Sequence, residues 1–178
     1  MELYYDIFPT NIGWFAGVIS ERGLCEATLK KSPEAAIENL RHNLFEINHC
    51  PNKLEAVKHS VINFLNGETD DLYRLTLDVD DAPEFYQAAW KACVSIPLGE
   101  TRSYAWLAKQ SGSPRAYRAA GQAMAKNRIV LAIPCHRVIG SDGGLHGYAA
   151  GGLGVKDHLL KIEAGLRHRV CSMDNIDV

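Results

Sequence analysis

The fold class is decided by the stretch from Ser103 to Ala125, which reads SYAWLAKQSGSPRAYRAAGQAMA. Ser103 is a favourable N-cap, and the residues after it predict a short helix that ends before Gly112. Ser113 and Pro114 open a second helix that runs to about residue 125, because proline suits the first helical position. Two short helices across a tight glycine-containing turn predict a helix-turn-helix.

The second predicted helix has two distinct faces. One face carries small residues that allow close packing on neighbouring elements, namely Ala116, Ala119, Ala120 and Ala123. Another face carries Arg115, Arg118 and Gln122 at helical spacing. This pattern is typical of a helix that enters a nucleic-acid groove, and it also fits an ordinary amphipathic helix.

Charge is distributed unevenly around this stretch. The chain of 178 residues has a formal net charge of −2, but residues 1–100 carry −8 and residues 101–178 carry +6. Residues 101–141 contain no Asp or Glu, and their cations are Arg102, Lys109, Arg115, Arg118, Lys126, Arg128 and Arg137. Such a block indicates a polyanionic partner, or a helical face whose counter-charges come from elsewhere in the fold.

The composition excludes several classes of protein. With 47% hydrophobic and 22% charged residues, the chain is predicted to be globular rather than disordered. No apolar run approaches the roughly 20 residues of a membrane-spanning helix, and Glu2 and Asp6 do not suit a signal peptide, so we expect a cytoplasmic protein. The five cysteines form no C-x-x-C pair, which predicts free thiols rather than disulfides or a zinc finger.

Residues 1–80 are predicted to form a small α/β domain that shows no sign of chemistry. The pattern predicts strands at 3–7, 14–19 and 24–29, a helix from Pro33 with apolar positions up to Ile47, a helix at 54–65 and a strand at 73–79. The segment Asp80–Pro83 is the predicted boundary, and residues 83–170 form the second domain. Besides the helix-turn-helix, that domain is predicted to hold helices at 85–96 and 155–165.

The segment that carries chemistry is residues 129–139, a strand-like run that reads IVLAIPCHRVI. Cys135 lies beside His136 and Arg137, an electropositive setting that favours the thiolate form. Neighbouring side chains of an extended chain point to opposite faces, so His136 needs a sharp turn or a bridging water to exchange a proton with the sulfur. A cysteine in an apolar run also fits an inert buried residue.

Two further features follow this segment. Seven of the 15 glycines lie between Gly140 and Gly154, in a loop that either allows close approach of a ligand or serves as a flexible linker. Glu163 lies near the end of the last predicted helix, where it either orients an imidazole or is a solvated surface charge.

Several ordered motifs resemble those of a known family. The sequence PCHRV at 134–138 is similar to the active-site signature of the 6-O-alkylguanine-DNA alkyltransferases, the methylated-DNA-protein-cysteine methyltransferases. The resemblance continues through GETRSY at 99–104, SPRAYRA at 113–119, the loop at 140–148, and LLKIE at 159–163. It therefore covers about residues 84–165 in the family's order and spacing.

The resemblance implies a fold and an activity. The fold is a ribonuclease-H-like α/β N-terminal domain followed by a mostly α domain of winged-helix or helix-turn-helix type, which binds double-stranded DNA through the minor groove. The activity is DNA repair, in which 6-O-alkylguanine is flipped out of the duplex and its alkyl group moves irreversibly onto Cys135. Activity on 4-O-alkylthymine stays open. The resemblance implies no cofactor, and a monomer without an obligate protein partner.

The resemblance also implies roles for individual residues. Glu163, His136 and a water form the relay that deprotonates Cys135, and Tyr104 assists rotation of the nucleotide and protonates the guanine ring. Arg118 enters the base stack in place of the extruded nucleotide. The other implied residues are Ser113, Ser141 and Arg115 at the DNA, Asn127 behind the turn before the cysteine, and Met124, Pro134, Arg137, Val138, Tyr148 and Ala149 around the pocket.

Two positions depart from the family's pattern. Arg128 follows Asn127 where proline is usual, which we expect to add a cation and to loosen the turn. The pair Ala149–Ala150 contains one extra residue, which we expect to line the alkyl pocket. Some relatives bind zinc through an N-terminal Cys and His set, and only Cys25 falls near such a position, so no metal is predicted.

Two alternatives to an alkyl acceptor remain. A non-catalytic helix-turn-helix damage sensor or regulator would use the same DNA-binding surface, but relatives of that kind replace the acceptor cysteine, and Cys135 is present. A cysteine hydrolase would use Cys135, His136 and Glu163, although no oxyanion-binding element is evident.

Overall fold

An antiparallel meander opens the fold of the computed structural model, which describes residues 2–173. Strands β1 (Tyr4–Thr10), β2 (Gly13–Ser20) and β3 (Gly23–Lys30) are joined by two-residue turns, so the three predicted strands are confirmed. Gly23 has a φ of +140°, and a Cβ there would lie 2.3 Å from the Thr76 carbonyl oxygen, so this turn requires glycine. The short strand β4 (Asn48–His49) pairs in parallel with β1, which gives the sheet order β3-β2-β1-β4.

The first helix is shorter than the sequence pattern predicts. Helix α1 spans only Pro33–Glu38. The chain then leaves the helical path because the buried carboxylate of Glu26 on β3 accepts hydrogen bonds from the backbone N–H groups of Arg41 and His42. The later apolar positions of the predicted helix therefore lie in a 3-10 turn at Leu44–Glu46 and just after it.

The predicted strand at 73–79 is wrong. After helix α2 (Glu55–Leu65), the residues Asp71–Arg74 form a 3-10 turn, and only Leu77 makes a single parallel bridge to β3. Two segments share the free edge of β3. Residues 76–78 form backbone hydrogen bonds with Leu24 near its start, and residues 128–130 form them with Ala27. Neither segment has enough of this edge to form a full strand.

The second half of the chain is mostly helical. Helices α3 (Glu84–Val94), α4 (Tyr104–Gln110), α5 (Tyr117–Ala125) and α6 (Gly152–Met173) follow one another. Ser103 caps α4 as predicted, since its Oγ accepts a hydrogen bond from the Trp106 N–H at 3.1 Å. Helix α5 begins at Tyr117 rather than at residue 114, because residues 113–116 close a tight turn first.

The strand-like run at 129–139 is mostly irregular. Only β6 (Val138–Ile139) is a strand, and it pairs in parallel with β5 (Arg102–Ser103). Leu131 has a φ of +73°, and Cys135–Arg137 forms a 3-10 turn directly after Pro134. The run is apolar because it is buried on all sides, not because it extends across a sheet.

One apolar core joins the sheet to the helical part. It includes Phe64 of α2, Trp90 of α3, Leu107 of α4 and Leu159 of α6, each nearly or fully buried. The Trp90 Nε1–H also donates to the Ala123 carbonyl of α5 at 2.9 Å. Fully burying a large apolar side chain stabilises a fold by about 1.5–3 kcal/mol, so the helices are held firmly against the sheet. Within residues 2–173, no helix combines the length and the apolar character needed to cross a bilayer.

Arg128 does not loosen its turn as expected, and the cation that it adds is buried and paired. Its guanidinium is buried, donates to the Asp81 carboxylate at 2.9 Å and to the Asp78 carbonyl at 3.1 Å, and lies over the Trp90 ring at 5.7 Å. The arginine therefore ties the segment at 78–81 to the turn before the cysteine, in a chain that lacks the usual proline there.

Candidate active site

Cys135 lies at the bottom of a surface cavity of about 380 Å³. The 3-10 turn places its side chain at the cavity floor, where it is 6% exposed. The walls come from α4, α5 and the glycine-rich loop, and the lining residues are Tyr104, Gly121, Met124, Ala125, Gly147, Tyr148 and Ala149. A thiol at the floor of a cavity of this size can meet a planar group that enters from outside.

Asn127 fixes the turn that carries the cysteine. Its Nδ2 donates to the Ile133 carbonyl at 3.0 Å and to the Cys135 Sγ at 3.1 Å, and its Oδ1 accepts the Ile129 N–H at 2.9 Å. The amide is buried, so each of these bonds replaces one that water would otherwise make. Asn127 thus lies directly behind the turn that precedes Cys135.

The cysteine is a thiol at rest, in contrast to the expected electropositive setting. Burial raises the pKa of Cys135, and the Asn127 hydrogen bond and the Lys156 charge offset this only in part. The charge of Arg137 is engaged elsewhere, since its Nε donates to Glu163 at 2.9 Å and its Nη1 to the Ile96 carbonyl at 2.6 Å. Deprotonation of Cys135 therefore requires a base.

A buried histidine and carboxylate lie directly behind the cysteine. His136 Nε2 is 2.6 Å from Glu163 Oε1, and both side chains are fully buried. Burial lowers the pKa of His136, which keeps the imidazole neutral at pH 7, although the hydrogen bond to Glu163 opposes this. Burial would raise the pKa of Glu163, but the hydrogen bond from His136, together with the charge and hydrogen bond of Arg137, lowers it to about 2.

These protonation states assign the histidine tautomer. An ionised carboxylate only accepts hydrogen bonds, so the proton of the neutral imidazole lies on Nε2. Nδ1 is then an acceptor, and it is buried without a partner among the residues that the structure describes. His136 can therefore take up a proton at Nδ1.

Two residues at this site escaped the sequence analysis. The Tyr73 hydroxyl donates to Glu163 Oε1 at 2.6 Å, and the Gly99 N–H donates to Glu163 Oε2 at 3.1 Å. Gly99 lies in the GETRSY motif, but no sequence pattern indicates a role for its amide. Tyr73 lies in the segment predicted as a strand, and nothing in the neighbouring sequence indicates a contact with a residue 90 positions later.

Lys156 was also missed. It is fully buried on α6, and its Nζ donates to the carbonyls of Val138 and Leu145, which joins β6 to the glycine-rich loop. Burial lowers the pKa of Lys156, while the neighbouring Cys135 acts in the opposite direction. Lys156 shares an inner helical face with Leu159 and Glu163, and a lysine on such a face is the signal that could have identified it.

Tyr104 forms one wall of the cavity at the start of α4. Its ring lies across from Gly121 of α5, where an added Cβ would come within 3.9 Å of Cδ1. Burial raises the pKa of Tyr104, so its hydroxyl remains a proton donor at neutral pH. On the loop side, the His136 ring meets the Tyr148 ring edge-on at 6.3 Å between centroids.

The pair Ala149–Ala150, which contains the extra residue, lies in the loop just before α6. Ala149 lies on the cavity wall as expected, and its carbonyl accepts a hydrogen bond from Lys30 Nζ at 3.3 Å, while Ala150 is buried. Glu163 still reaches His136, so the insertion does not displace the carboxylate. Three residues implied for the pocket, Pro134, Arg137 and Val138, are buried but are not among those that line the cavity.

The basic block divides into two groups. Arg102, Arg128 and Arg137 form ion pairs with Glu100, Asp81 and Glu163, respectively. Within residues 2–173, no such pair forms at the exposed cations Lys109, Arg115, Arg118 and Lys126. Counter-charges from elsewhere in the fold thus account for the first group, and the interpretation as a surface for a polyanion stays a prediction for the second.

The surface outside the cavity carries the remaining residues implied for DNA contact. Arg118 is exposed on α5, and Arg115 is exposed in the turn before it, which also contains the half-buried Ser113. Ser141 is exposed in the turn that follows β6. In the described part of the chain, no group of three or more His, Cys, Asp or Glu side chains could hold a metal ion.

Comparison with known proteins gives consistent matches. A family model described as "6-O-methylguanine DNA methyltransferase, DNA binding domain" matches residues 84–165. A methylated-DNA–protein-cysteine methyltransferase of Methanosarcina mazei is 52% identical over 166 residues, which cover 90% of this chain and 97% of that protein. The protein of the same name from Methanosarcina barkeri is 40% identical over 167 residues, with the same coverage.

The structural comparison agrees with the sequence comparison. The crystal structure of Mycobacterium tuberculosis OGT in complex with DNA superposes with a TM-score of 0.77 at 31% identity, and the match covers 92% of this chain and 94% of that one. The match extends over the N-terminal sheet as well as the helical part. This chain therefore belongs to the methylated-DNA–protein-cysteine methyltransferase family.

Proposed function

We propose that this chain repairs alkylated DNA by moving an alkyl group from the 6-oxygen of guanine to the sulfur of Cys135. The observation that carries the proposal is a buried thiol at the floor of a cavity, backed by a neutral histidine and an ionised carboxylate. The sulfur–carbon bond forms as the carbon–oxygen bond breaks, and the electron pair of that bond goes to guanine. A thioether does not hydrolyse in water, so each protein molecule acts once.

The proton of the thiol leaves through a relay. Cys135 passes its proton by way of a water to Nδ1 of His136, and Glu163 stabilises the imidazolium that results. Support comes from the buried Nδ1 that has no partner in the described residues and from the 2.6 Å contact at Nε2. Because the pKa of the thiol is raised by burial, the nucleophile forms only when this base is in place.

Tyr104 protonates the departing base. It lines the cavity in which the flipped guanine would lie, and its hydroxyl keeps its proton at neutral pH. Protonation of the ring makes the dealkylated base a better leaving group, because the base leaves neutral rather than as an anion.

DNA binds on the side of the molecule where the cavity opens. The guanine must leave the base stack to reach the cysteine, since the thiol lies at the floor of the cavity. Arg118 fills the space that the base vacates, and Arg115, Ser113 and Ser141 contact the sugar-phosphate backbone. Exposed cations that form no ion pair within residues 2–173 support this assignment.

The finer architecture follows the family. We infer a ribonuclease-H-like domain in residues 1–80 and a winged-helix type of domain in residues 83–170, acting as a monomer on double-stranded DNA. The meander with a parallel fourth strand supports the first assignment. The second is supported by the helix pair α4 and α5 next to the parallel strands β5 and β6.

Peptide mapping tests the proposal. The protein is incubated with duplex DNA that contains 6-O-methylguanine and is then digested, and the expected product is one methyl group on the Cys135 peptide. Cys135→Ser abolishes transfer, whereas Cys25→Ser, a matched change at a buried cysteine on β3, preserves it. Repaired DNA with an unmodified Cys135 would contradict the proposal. A damage sensor would leave the DNA alkylated.

A further inference from the structure

A tyrosine from the N-terminal part reaches the acid–base pair behind the cysteine. Tyr73 lies in the 3-10 turn that follows α2, and its hydroxyl donates to Glu163 Oε1 at 2.6 Å. The same oxygen lies 2.6 Å from His136 Nε2. The tyrosine and the imidazole thus share one acceptor atom.

The position of the hydroxyl is fixed by two contacts of the ring. Arg137 places its guanidinium over the Tyr73 ring at 4.1 Å, and Phe64 of α2 forms a T-shaped pair with it at 5.3 Å between centroids. Burial and the neighbouring Glu163 raise the pKa of Tyr73 well above its ordinary value, so the hydroxyl keeps its proton. It therefore acts as a permanent donor to the carboxylate.

Other charged and polar groups also face the His136–Glu163 pair. Arg137 is the cation in contact with Glu163, and the Gly99 N–H binds the second carboxylate oxygen. Further titratable groups act on the pair or on its neighbours from α3, the 3-10 turn, the glycine-rich loop and α6, and these are Cys93, Cys135, Tyr148 and Lys156, respectively. Among the described residues that form hydrogen bonds with the Glu163 carboxylate, only Tyr73 comes from the part of the chain before residue 80.

We propose that Tyr73 is a positioning residue that sets the basicity of the His136–Glu163 pair, through the hydrogen bond from its hydroxyl to Glu163 Oε1. This inference rests on the proposed relay. A carboxylate oxygen that already accepts a strong hydrogen bond attracts the proton of a neighbouring imidazolium less strongly. Tyr73 thereby keeps His136 neutral and ready to accept the proton of the thiol. The N-terminal part then contributes to the chemistry as well as to the core.

Tyr73→Phe is the test, because it removes the hydroxyl and keeps the ring that contacts Arg137 and Phe64. The pKa of His136 is measured by NMR titration of the DNA-free protein, and the rate of methyl transfer is measured against pH. Loss of one charge-assisted hydrogen bond raises the pKa of His136 by about one unit. The acidic limb of the pH–rate profile moves to higher pH by the same amount. Transfer at a pH below the inflection therefore slows about tenfold, while the rate at high pH is retained.

Tyr86→Phe is the matched control. It removes a tyrosine hydroxyl on α3, where the ring packs against Trp90 at 5.9 Å and does not contact Glu163. The control is expected to titrate like the wild-type protein. A His136 titration in Tyr73→Phe that equals that of the control, or that moves to lower pH, would overturn the inference.

A second measurement needs no variant. In the wild-type protein, the hydroxyl proton of Tyr73 is expected to exchange slowly and to resonate far downfield, because it is buried and donates to a carboxylate. Its absence from the spectrum would also overturn the inference. Both NMR measurements are made without DNA, so their failure is separate from a failure of methyl transfer, which would instead overturn the proposed function.

Discussion

Glu163→Gln removes the negative charge that faces His136 and Arg137 and keeps the shape of the side chain. In the wild-type protein, Glu163 Oε1 lies 2.6 Å from His136 Nε2 and so stabilises the imidazolium that forms when Cys135 loses its proton. A hydrogen bond to a charged group contributes about 1.5–3 kcal/mol. Its loss predicts that methyl transfer slows by about 10- to 150-fold, since 1.36 kcal/mol corresponds to a factor of ten in rate.

The same change leaves Arg137 buried without a counter-ion, because its side chain is only 3% exposed. Breaking a buried ion pair in this way costs about 3–5 kcal/mol of unfolding free energy. Rates are therefore measured at a temperature where urea unfolding shows the variant to be folded. The assay is single-turnover transfer from a duplex with 6-O-methylguanine, with protein in excess, and DNA affinity is measured separately by fluorescence anisotropy.

Glu100→Gln provides a control for charge removal near the site. Glu100 pairs with Arg102 and Arg167 at the surface, and its replacement is expected to leave the transfer rate unchanged. Wild-type transfer by Glu163→Gln would refute the relay. So would a variant that binds DNA more weakly but transfers the alkyl group at the normal rate once bound.

Three further predictions concern stability and DNA. Asn127→Ala lowers the free energy of unfolding by about 2–4 kcal/mol in urea titrations, because buried partners on the turn before Cys135 lose their hydrogen bonds. The pKa of Glu163 falls from 4.5 to about 2 on folding, so its contribution is complete above pH 4.5 and is lost as the pH drops towards 2. Acid unfolding is therefore steeper for the wild type than for Glu163→Gln, and equal slopes would contradict this assignment. Arg118→Ala slows transfer from duplex DNA by about tenfold or more, because the side chain no longer offsets part of the base-unstacking cost of a few kcal/mol, and it leaves transfer from a free 6-O-alkylguanine base unchanged. Equal losses on both substrates would exclude a role in base extrusion.

The features that the sequence predicts well are local ones. Ser103 caps α4 through a hydrogen bond that spans three residues, and the first three strands alternate with short turns that carry glycine. Such elements depend on neighbours in the chain, so their residue types reveal them. Cys135 and His136 were found because they are adjacent in a distinctive motif.

The features that the sequence did not predict depend on contacts between distant residues. The charge of Arg128 meets Asp81 across 47 positions, and the charge of Arg137 meets Glu163 across 26. Counting charges along the chain therefore overestimated the cations available to DNA. Adjacency to His136 and Arg137 likewise predicted an electropositive setting that lowers the pKa of Cys135, whereas burial raises it.

Tyr73 shows the same limit at the candidate site. Its alternation with Leu75 and Leu77 resembles a half-buried strand, yet β3 lacks a free edge long enough to pair with it. The side chain instead turns towards Glu163, which lies 90 residues later. Periodicity describes which side chains are buried but not which partner buries them.

Stoichiometry tests the central claim most directly. The protein is mixed with an excess of duplex DNA containing 6-O-methylguanine, and the repaired guanine is counted together with the intact mass of the protein. We predict that repair stops at one guanine per protein chain, with one methyl group added at Cys135 and none in the Cys135→Ser variant. Repair that continues beyond one guanine per chain, or that leaves the mass of the protein unchanged, would contradict transfer to this cysteine.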